Sequence, residues 1–225
     1  MATEKKASPN VESRLRHNIL KMPQEVYQAS GIVINGRRLK SFVFTTDLAI
    51  IRNCDADAVF AVYPFTPQQA ISDAIIKASY IPVFCGVGGG LTNGVRSASM
   101  AAYVEHQGAY GVVCNSKIGV ETIHAIKDAV EIPVVYTVIS ENTDIQPYLT
   151  AGVDIINVSG AARTPEIVGA LRQRYPELPI IATGGPTEES ILATIRAGAN
   201  AITYTPPSSA SLFAKTMAGN RSELE

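Results

Sequence analysis

Tryptophan is missing from this 225-residue sequence, and histidine and cysteine occur three times each. The histidines, His17, His106 and His124, fall in the N-terminal segment and in helical stretches away from the strand ends. That argues against Ser-His-Asp chemistry and against a His-ligated metal. Cys54, Cys85 and Cys114 form an odd, widely spaced set with no CxxC pair, which fits a reducing compartment and excludes a disulfide framework or a zinc site. Charge of either sign is not in excess: 19 Lys and Arg face 20 Asp and Glu, for a net charge of -1. Neither a nucleic acid nor an anionic membrane is therefore expected as a partner. No apolar run approaches the roughly 18 residues of a membrane span. The first residues also lack the apolar core of a signal peptide, so a cytoplasmic location is expected.

What the chain does contain is repetition. Met1 to about Pro9 are polar and charged, which points to disorder. Val11, Leu15, Ile19, Leu20 and Met22 follow at helical spacing, Pro23 interrupts, and a second short helix ends near Gly31. Asn35-Gly36 between two short strand-like runs is a hairpin signal. Residues 1–40 are thus expected to form an extension and cap, and residues 41–225 the main domain.

That domain carries eight strand-like runs: Phe42–Thr45, Ala58–Tyr63, Pro82–Gly86, Gly111–Cys114, Pro133–Ile139, Asp154–Val158, Ile180–Thr183 and Ala201–Tyr204. Helical periodicity lies between most of them, as in Pro67–Ala78, Glu121–Ala129, Pro165–Tyr175 and Glu188–Ala197. Continuous apolar strands alternating with helices predict a parallel sheet buried on both faces. Ile81-Pro82-Val83, Ile132-Pro133-Val134 and Leu178-Pro179-Ile180 each open an odd-numbered strand. Gly108-Ala109, Gly152-Val153 and Gly198-Ala199 precede even-numbered ones, with Asp55-Ala56-Asp57-Ala58 in the matching place before the second. A repeat of about 45–50 residues, taken four times, closes into a (β/α)8 TIM barrel; an open doubly wound sheet is the alternative, and the repeat argues against it.

In such a barrel the site lies at the C-terminal ends of the strands, which here are rich in hydroxyls, amides and glycines. Asp47, just past the first strand, is a candidate general acid/base or the N-cap of a helix Leu48–Arg52. Lys117, past the fourth, can pair with a substrate phosphate or carboxylate, act as a base or form an imine; a solvated loop lysine is the plainer reading. Glu141, past the fifth, is a candidate for activating water. With Asp144 and Asn115 it offers oxygen donors for Mg²⁺ at an unspecific spacing, and no metal or other cofactor is expected. Gly88, Gly89 and Gly90 belong to the densest glycine run and can form an anion-binding nest, with Asn93 and Arg96 beside it. Ser159, Gly160 and Arg163 follow the sixth strand, and Arg163 can clamp a phosphate. Gly184-Gly185 ends the apolar run Ile180–Thr183 and leads into Pro186-Thr187 and a Glu-rich helix start, where free N–H groups attract anions.

At Ile180–Thr187 and Ala197–Pro207 the chain resembles the last quarter of the phosphate-binding (β/α)8 barrels, such as inosine monophosphate dehydrogenase-type barrels, thiazole synthase and several aldolases and epimerases. The resemblance spans roughly residues 150–207 and implies fold more than activity. It also carries a departure. Where those families place Gly before Ser or Thr after the eighth strand, this chain has Thr205-Pro206-Pro207-Ser208-Ser209. Proline has no N–H to offer a phosphate, and Ser208 and Ser209 replace it in part. Over most of its length the sequence is also similar to bacterial barrel proteins carried under the general label "hydrolase", although no nucleophile–His pair derives hydrolysis from the residues.

The expected function is an enzyme on a small anionic substrate, a phosphorylated or carboxylated carbonyl compound, with lyase, aldolase or isomerase chemistry carried by Asp47 and Lys117. The alternatives are hydrolysis and a non-catalytic ligand-sensing barrel. The apolar helices fit a homo-oligomer and a monomer equally.

Overall fold

The structure, a computed structural model, describes residues 19–222 together with Pro9 and Val11. The expectations for residues 1–18, His17 among them, fall almost wholly outside the described residues; where the expected first helix reaches residues 19–22 the chain forms no helix, and Leu20 is instead bridged to Cys54. After a short 3-10 helix, Gln24–Gln28, the chain forms the antiparallel hairpin β1 (Ile32–Ile34) and β2 (Arg37–Leu39). Asn35 and Gly36 both have positive φ, 48° and 78°, the backbone that a tight two-residue hairpin turn requires.

Eight parallel strands then close on themselves: β3 (Ser41–Phe44), β4 (Ala58–Ala61), β5 (Val83–Gly88), β6 (Gly111–Cys114), β7 (Val134–Val138), β8 (Ile155–Val158), β9 (Ile180–Thr183) and β10 (Ala201–Tyr204). Pairing of Thr203 with Phe42 joins the last strand to the first. The strands alternate with α1 (Leu48–Arg52), α2 (Gln69–Ala78), α3 (Val95–His106), α4 (Val120–Lys127), α5 (Gln146–Thr150), α6 (Thr164–Arg174) and α7 (Glu188–Arg196), and α8 (Ser209–Ser222) follows the last. The closed sheet is the (β/α)8 architecture that the repeat predicts, not the open alternative.

The repeat has a physical basis at the strand starts. The Asp57 carboxylate accepts the N–H of Ser41 at 3.0 Å, Asp154 that of Val134 at 2.9 Å, and the Asn200 side-chain oxygen that of Ile180 at 2.9 Å. A side chain before each of these even-numbered barrel strands thus ties down the start of the strand before it. The turns before the fourth, sixth and eighth barrel strands need left-handed backbone, supplied by Gly108, Gly152 and Gly198 at φ 96°, 106° and 113°.

Alternation along the strands separates two apolar layers. Outward-facing residues pack under the helices, while Phe42, Phe60, Phe84, Val113, Val135, Ile155, Ile181 and Ala201 fill the barrel with Ile32, Ile34 and Leu39 of the hairpin. The interior is lopsided. Phe42, Phe60 and Phe84 cluster on β3–β5, with Phe42 edge-on to Phe84 at 5.2 Å. Aliphatic side chains line β6–β10. Gly111 accommodates the large side, because a Cβ there would meet the Phe84 ring. Truncating Phe60 to Ala would cost about 3–5 kcal/mol. The hairpin fills the N-terminal end of the barrel, leaving the other end open.

Candidate functional site

The open end holds a cavity of about 200 Å³. Its two sides follow from the lopsided interior one layer below. Over β3, β4 and the loop after β4 the wall is Phe44, Phe60, Val62, Tyr63, Phe65 and Pro67. Across from it stand Asn115, Thr137, Asn157 and Ser159 from the ends of β6, β7 and β8, with the backbone of Gly86, Gly88 and Gly89 between. The β5–β6 ladder slips by one residue between Gly86 and Gly88, a bulge of the kind that re-aims strand ends near sites. Among the described residues no Asp, Glu, His, Lys or Arg side chain lines this cavity.

Asn157 is 6% exposed and sits in the strand Ile155–Val158, whose other three residues are apolar and buried. Its Nδ2 donates to Thr137 Oγ1 at 3.3 Å, and its Oδ1 has no hydrogen-bond partner. A buried amide oxygen left unpaired costs about 1–3 kcal/mol, a cost that an aliphatic residue in the same wall would avoid. Asn115 is better served: its Oδ1 accepts from the Lys117 N–H at 3.3 Å and the Ser116 hydroxyl at 3.2 Å. The β5–α3 loop lies directly against it, so close that a Cβ on Gly89 would collide with the Asn115 Cβ.

A second cavity, about 490 Å³, opens over β9 and β10 between Thr183, Gly185, Pro186, Thr203, Tyr204 and Thr205–Pro207. The Thr183 and Thr203 hydroxyls stand 3.5 Å apart at its base.

Of the residues singled out in the sequence, Gly88, Gly89, Asn115 and Ser159 line the first cavity and Gly185 the second. The others lie outside both walls. Asp47 caps two helices: it accepts the N–H groups of Ala49 and Ile50 at 2.9 and 3.3 Å, the Ser209 hydroxyl, and the Ser209 N–H at 3.4 Å. The Ser209 hydroxyl, ahead of the helix N–H groups, holds the carboxyl below its ordinary range. Glu141 and Arg163 pair with each other, and Arg163 also meets Glu166 at 3.3 Å. Ser208 caps α8 by accepting the Ser211 N–H at 3.2 Å. Lys117 is exposed, two residues beyond Asn115, and its ammonium has no ion-pair partner among the described residues.

Part of the expected N–H cradle for an anion is spent within the protein. Gly89 donates to Thr92 O at 2.8 Å, Gly184 to Thr203 O at 3.2 Å and Gly160 to Thr164 Oγ1 at 3.0 Å. Gly90 lies outside both walls, its carbonyl accepting the Asn93 amide at 2.6 Å. Cys85 and Cys114 are buried, and burial pushes both thiols up to about 12, so neither offers a thiolate at neutral pH.

Beside the apolar wall residues, the polar Tyr63, Thr137 and Asn157 are not among the residues singled out in the sequence. A polar residue inside an apolar strand was the available signal for Asn157. Tyr63 contributes the titratable group of the wall; its oxygen accepts the Gln68 N–H at 2.8 Å, leaving the phenolic hydrogen to donate elsewhere.

No protein-family model and no curated protein sequence matches this chain. Solved structures do. A 2,3-dimethylmalate lyase of the PEP mutase/isocitrate lyase superfamily superposes with a TM-score of 0.65 at 14% identity, covering 89% of this chain and 82% of its own. A phosphoenolpyruvate phosphomutase from Streptomyces platensis subsp. rosaceus gives 0.63 at 16% identity, over 87% and 83%. Phosphonopyruvate hydrolase in complex with oxalate and Mg²⁺ gives 0.62 at 16% identity, over 82% and 80%. The likeness is one of fold. Among the described residues no carboxylate lines the first cavity, and no three His, Cys, Asp or Glu stand together to hold a metal.

Proposed function

We propose that the chain is an enzyme taking a small carbonyl-bearing anion into the open end of the barrel. Asn157 carries this reading. An amide 94% buried in an apolar strand, its oxygen unpaired in a cavity wall, costs more stability than its one bond to Thr137 returns. Such residues belong to sites. The cavity is smaller than the roughly 300 Å³ of drug-sized sites, so its occupant is a compact metabolite. The solved structures that share the fold support the same class, since they are lyases, mutases and hydrolases, one of them holding oxalate.

In this reading the Asn115 amide, the Ser159 hydroxyl and the Asn157–Thr137 pair hold the carbonyl and its neighbouring oxygens. Neutral donors held on the strand ends stabilise charge as it develops on that oxygen, and the Tyr63 phenol supplies the proton. Lys117, exposed two residues beyond Asn115, is the cation offered to the anionic group. Proton transfer next to a carbonyl is lyase or isomerase chemistry. The second reading, a ligand-sensing barrel, is favoured by the lack of a carboxylate, imidazole or amine in the wall.

A thermal-shift screen with 2-oxo acids and phosphate esters, followed by turnover assays on the stabilising compounds, tests both. Ligand stabilisation by mass action that Asn157→Val abolishes supports the site. Tyr63→Phe that retains binding but loses turnover by about 10²–10⁴-fold supports the enzyme, whereas binding without turnover in the wild type leaves the sensor. No stabilisation by any anion overturns the reading.

A further inference from the structure

We infer that the ligand is a 2-oxo monocarboxylic acid with a short apolar side chain, rather than a sugar phosphate; this rests on the reading of the barrel mouth as a small-molecule site. The cavity has two chemically different sides. Phe44, Phe60 and Phe65 face it from one side with no donor or acceptor on their rings, and Phe65 is 75% exposed while Phe44 is 38% exposed. Apolar rings left open to water at a cavity wall gain from being covered. Asn115, Asn157 and Ser159 face it from the other side as neutral hydrogen-bonding groups.

A sugar phosphate presents several hydroxyls, and any turned toward the three phenylalanines finds no partner on the rings, at a cost for each buried group. A dianionic phosphate also needs several N–H donors, yet the N–H groups of Gly89, Gly160 and Gly184 already bond within the protein, and Pro206 and Pro207 have none. A 2-oxo acid divides as the cavity divides. Its carbonyl reaches the amide side, its side chain lies on the rings, and its single carboxylate is left for a cation such as the exposed Lys117, two residues beyond Asn115, whose ammonium has no ion-pair partner among the described residues. The volume suits it, for an apolar cavity of about 150 Å³ admits a benzene molecule and this one is about 200 Å³.

The test is calorimetric titration of the full chain with pyruvate, 2-oxobutanoate and 2-oxopentanoate, and separately with glycerol phosphate and ribose 5-phosphate. Affinity is expected to rise about fourfold with each added methylene, with the phosphate esters weaker than 2-oxopentanoate. Phe44→Ala should flatten that rise; Phe65→Ala, on an exposed loop, serves the same purpose if the first variant does not fold. Equal affinity along the acid series, tighter binding of a phosphate ester, or an unchanged rise in the folded variants overturns the inference while leaving a small-molecule site standing. No binding of any compound overturns the proposed function itself, and this inference with it.

Discussion

Tyr136 stacks on Tyr148 with ring centroids 4.0 Å apart and planes within 8°. The two hydroxyls donate to consecutive parts of one loop, Tyr136 to Ser116 O at 3.2 Å and Tyr148 to Ile118 O at 3.0 Å. A residue of β7 and a residue of α5 thereby grip the backbone on both sides of Lys117. The stack is a platform, and each hydroxyl is an anchor.

Tyr136→Phe keeps the platform and removes one anchor. The expected result is a stability loss of about 1 kcal/mol, or roughly 2–4 °C in Tm. A several-fold weaker affinity for whichever anion the screen identifies should accompany it. Calorimetry of the variant checks this, and affinity unchanged from wild type would separate the tyrosine pair from ligand binding.

Asp47 gives a prediction in pH. Its carboxyl is held below the ordinary carboxylate range by the Ser209 hydroxyl and the helix N–H groups. A depressed carboxyl stabilises the fold above its unfolded value, near pH 4, and that contribution is lost as pH falls through the lower, folded value. Asp47→Ala should lower stability at pH 7 by about 1 kcal/mol, the usual worth of an N-cap, and the difference from wild type should shrink as pH falls below about 4. Denaturant unfolding across that range measures it.

The thiols give a third. Cys85 and Cys114 are buried and pushed up to about 12, and burial raises Cys54 as well. Iodoacetamide at pH 8 should leave the native chain essentially unlabelled and modify all three cysteines once it is unfolded, by intact mass. Rapid labelling of native Cys85 or Cys114 would contradict their placement.

Asn157→Val should do two opposite things. It removes a buried unpaired oxygen and fills the wall with a β-branched residue suited to a strand, so Tm should stay level or rise. It should also abolish ligand stabilisation. Stability traded against function in this way marks a site. A large loss of Tm would instead make Asn157 a structural residue.

Local signals were legible in the sequence. Ala201–Tyr204, Ile180–Thr183 and Gly111–Cys114 fall where the apolar runs placed them, and α1 begins where Asp47 offers a cap. The strand β5 runs on to Gly88, beyond the expected Gly86, because the bulge carries the pairing through a glycine run with little strand propensity. What was not legible depends on residues distant along the chain. Asp47 finds Ser209 162 positions away, and Glu141 finds Arg163 22 positions away. Both were candidates because their loops reach the open end; neither pairing leaves a trace in its own segment. At the end of the sixth barrel strand, Ser159 and Gly160 are the residues that stand out by sequence. The apolar context of Asn157, which sets it apart, acquires meaning once Ile155, two residues earlier on the same face, is known to point into the barrel.

The most direct test of the account is a side-chain amide NMR titration of the full chain with 2-oxopentanoate. The Asn157 and Asn115 amide resonances should shift and saturate together, while Asn200, bonded to Ser30 and Ile180 at the opposite end of the barrel, stays in place. Saturable shifts elsewhere with Asn157 and Asn115 unmoved would contradict the assignment of the site to the open end of the barrel.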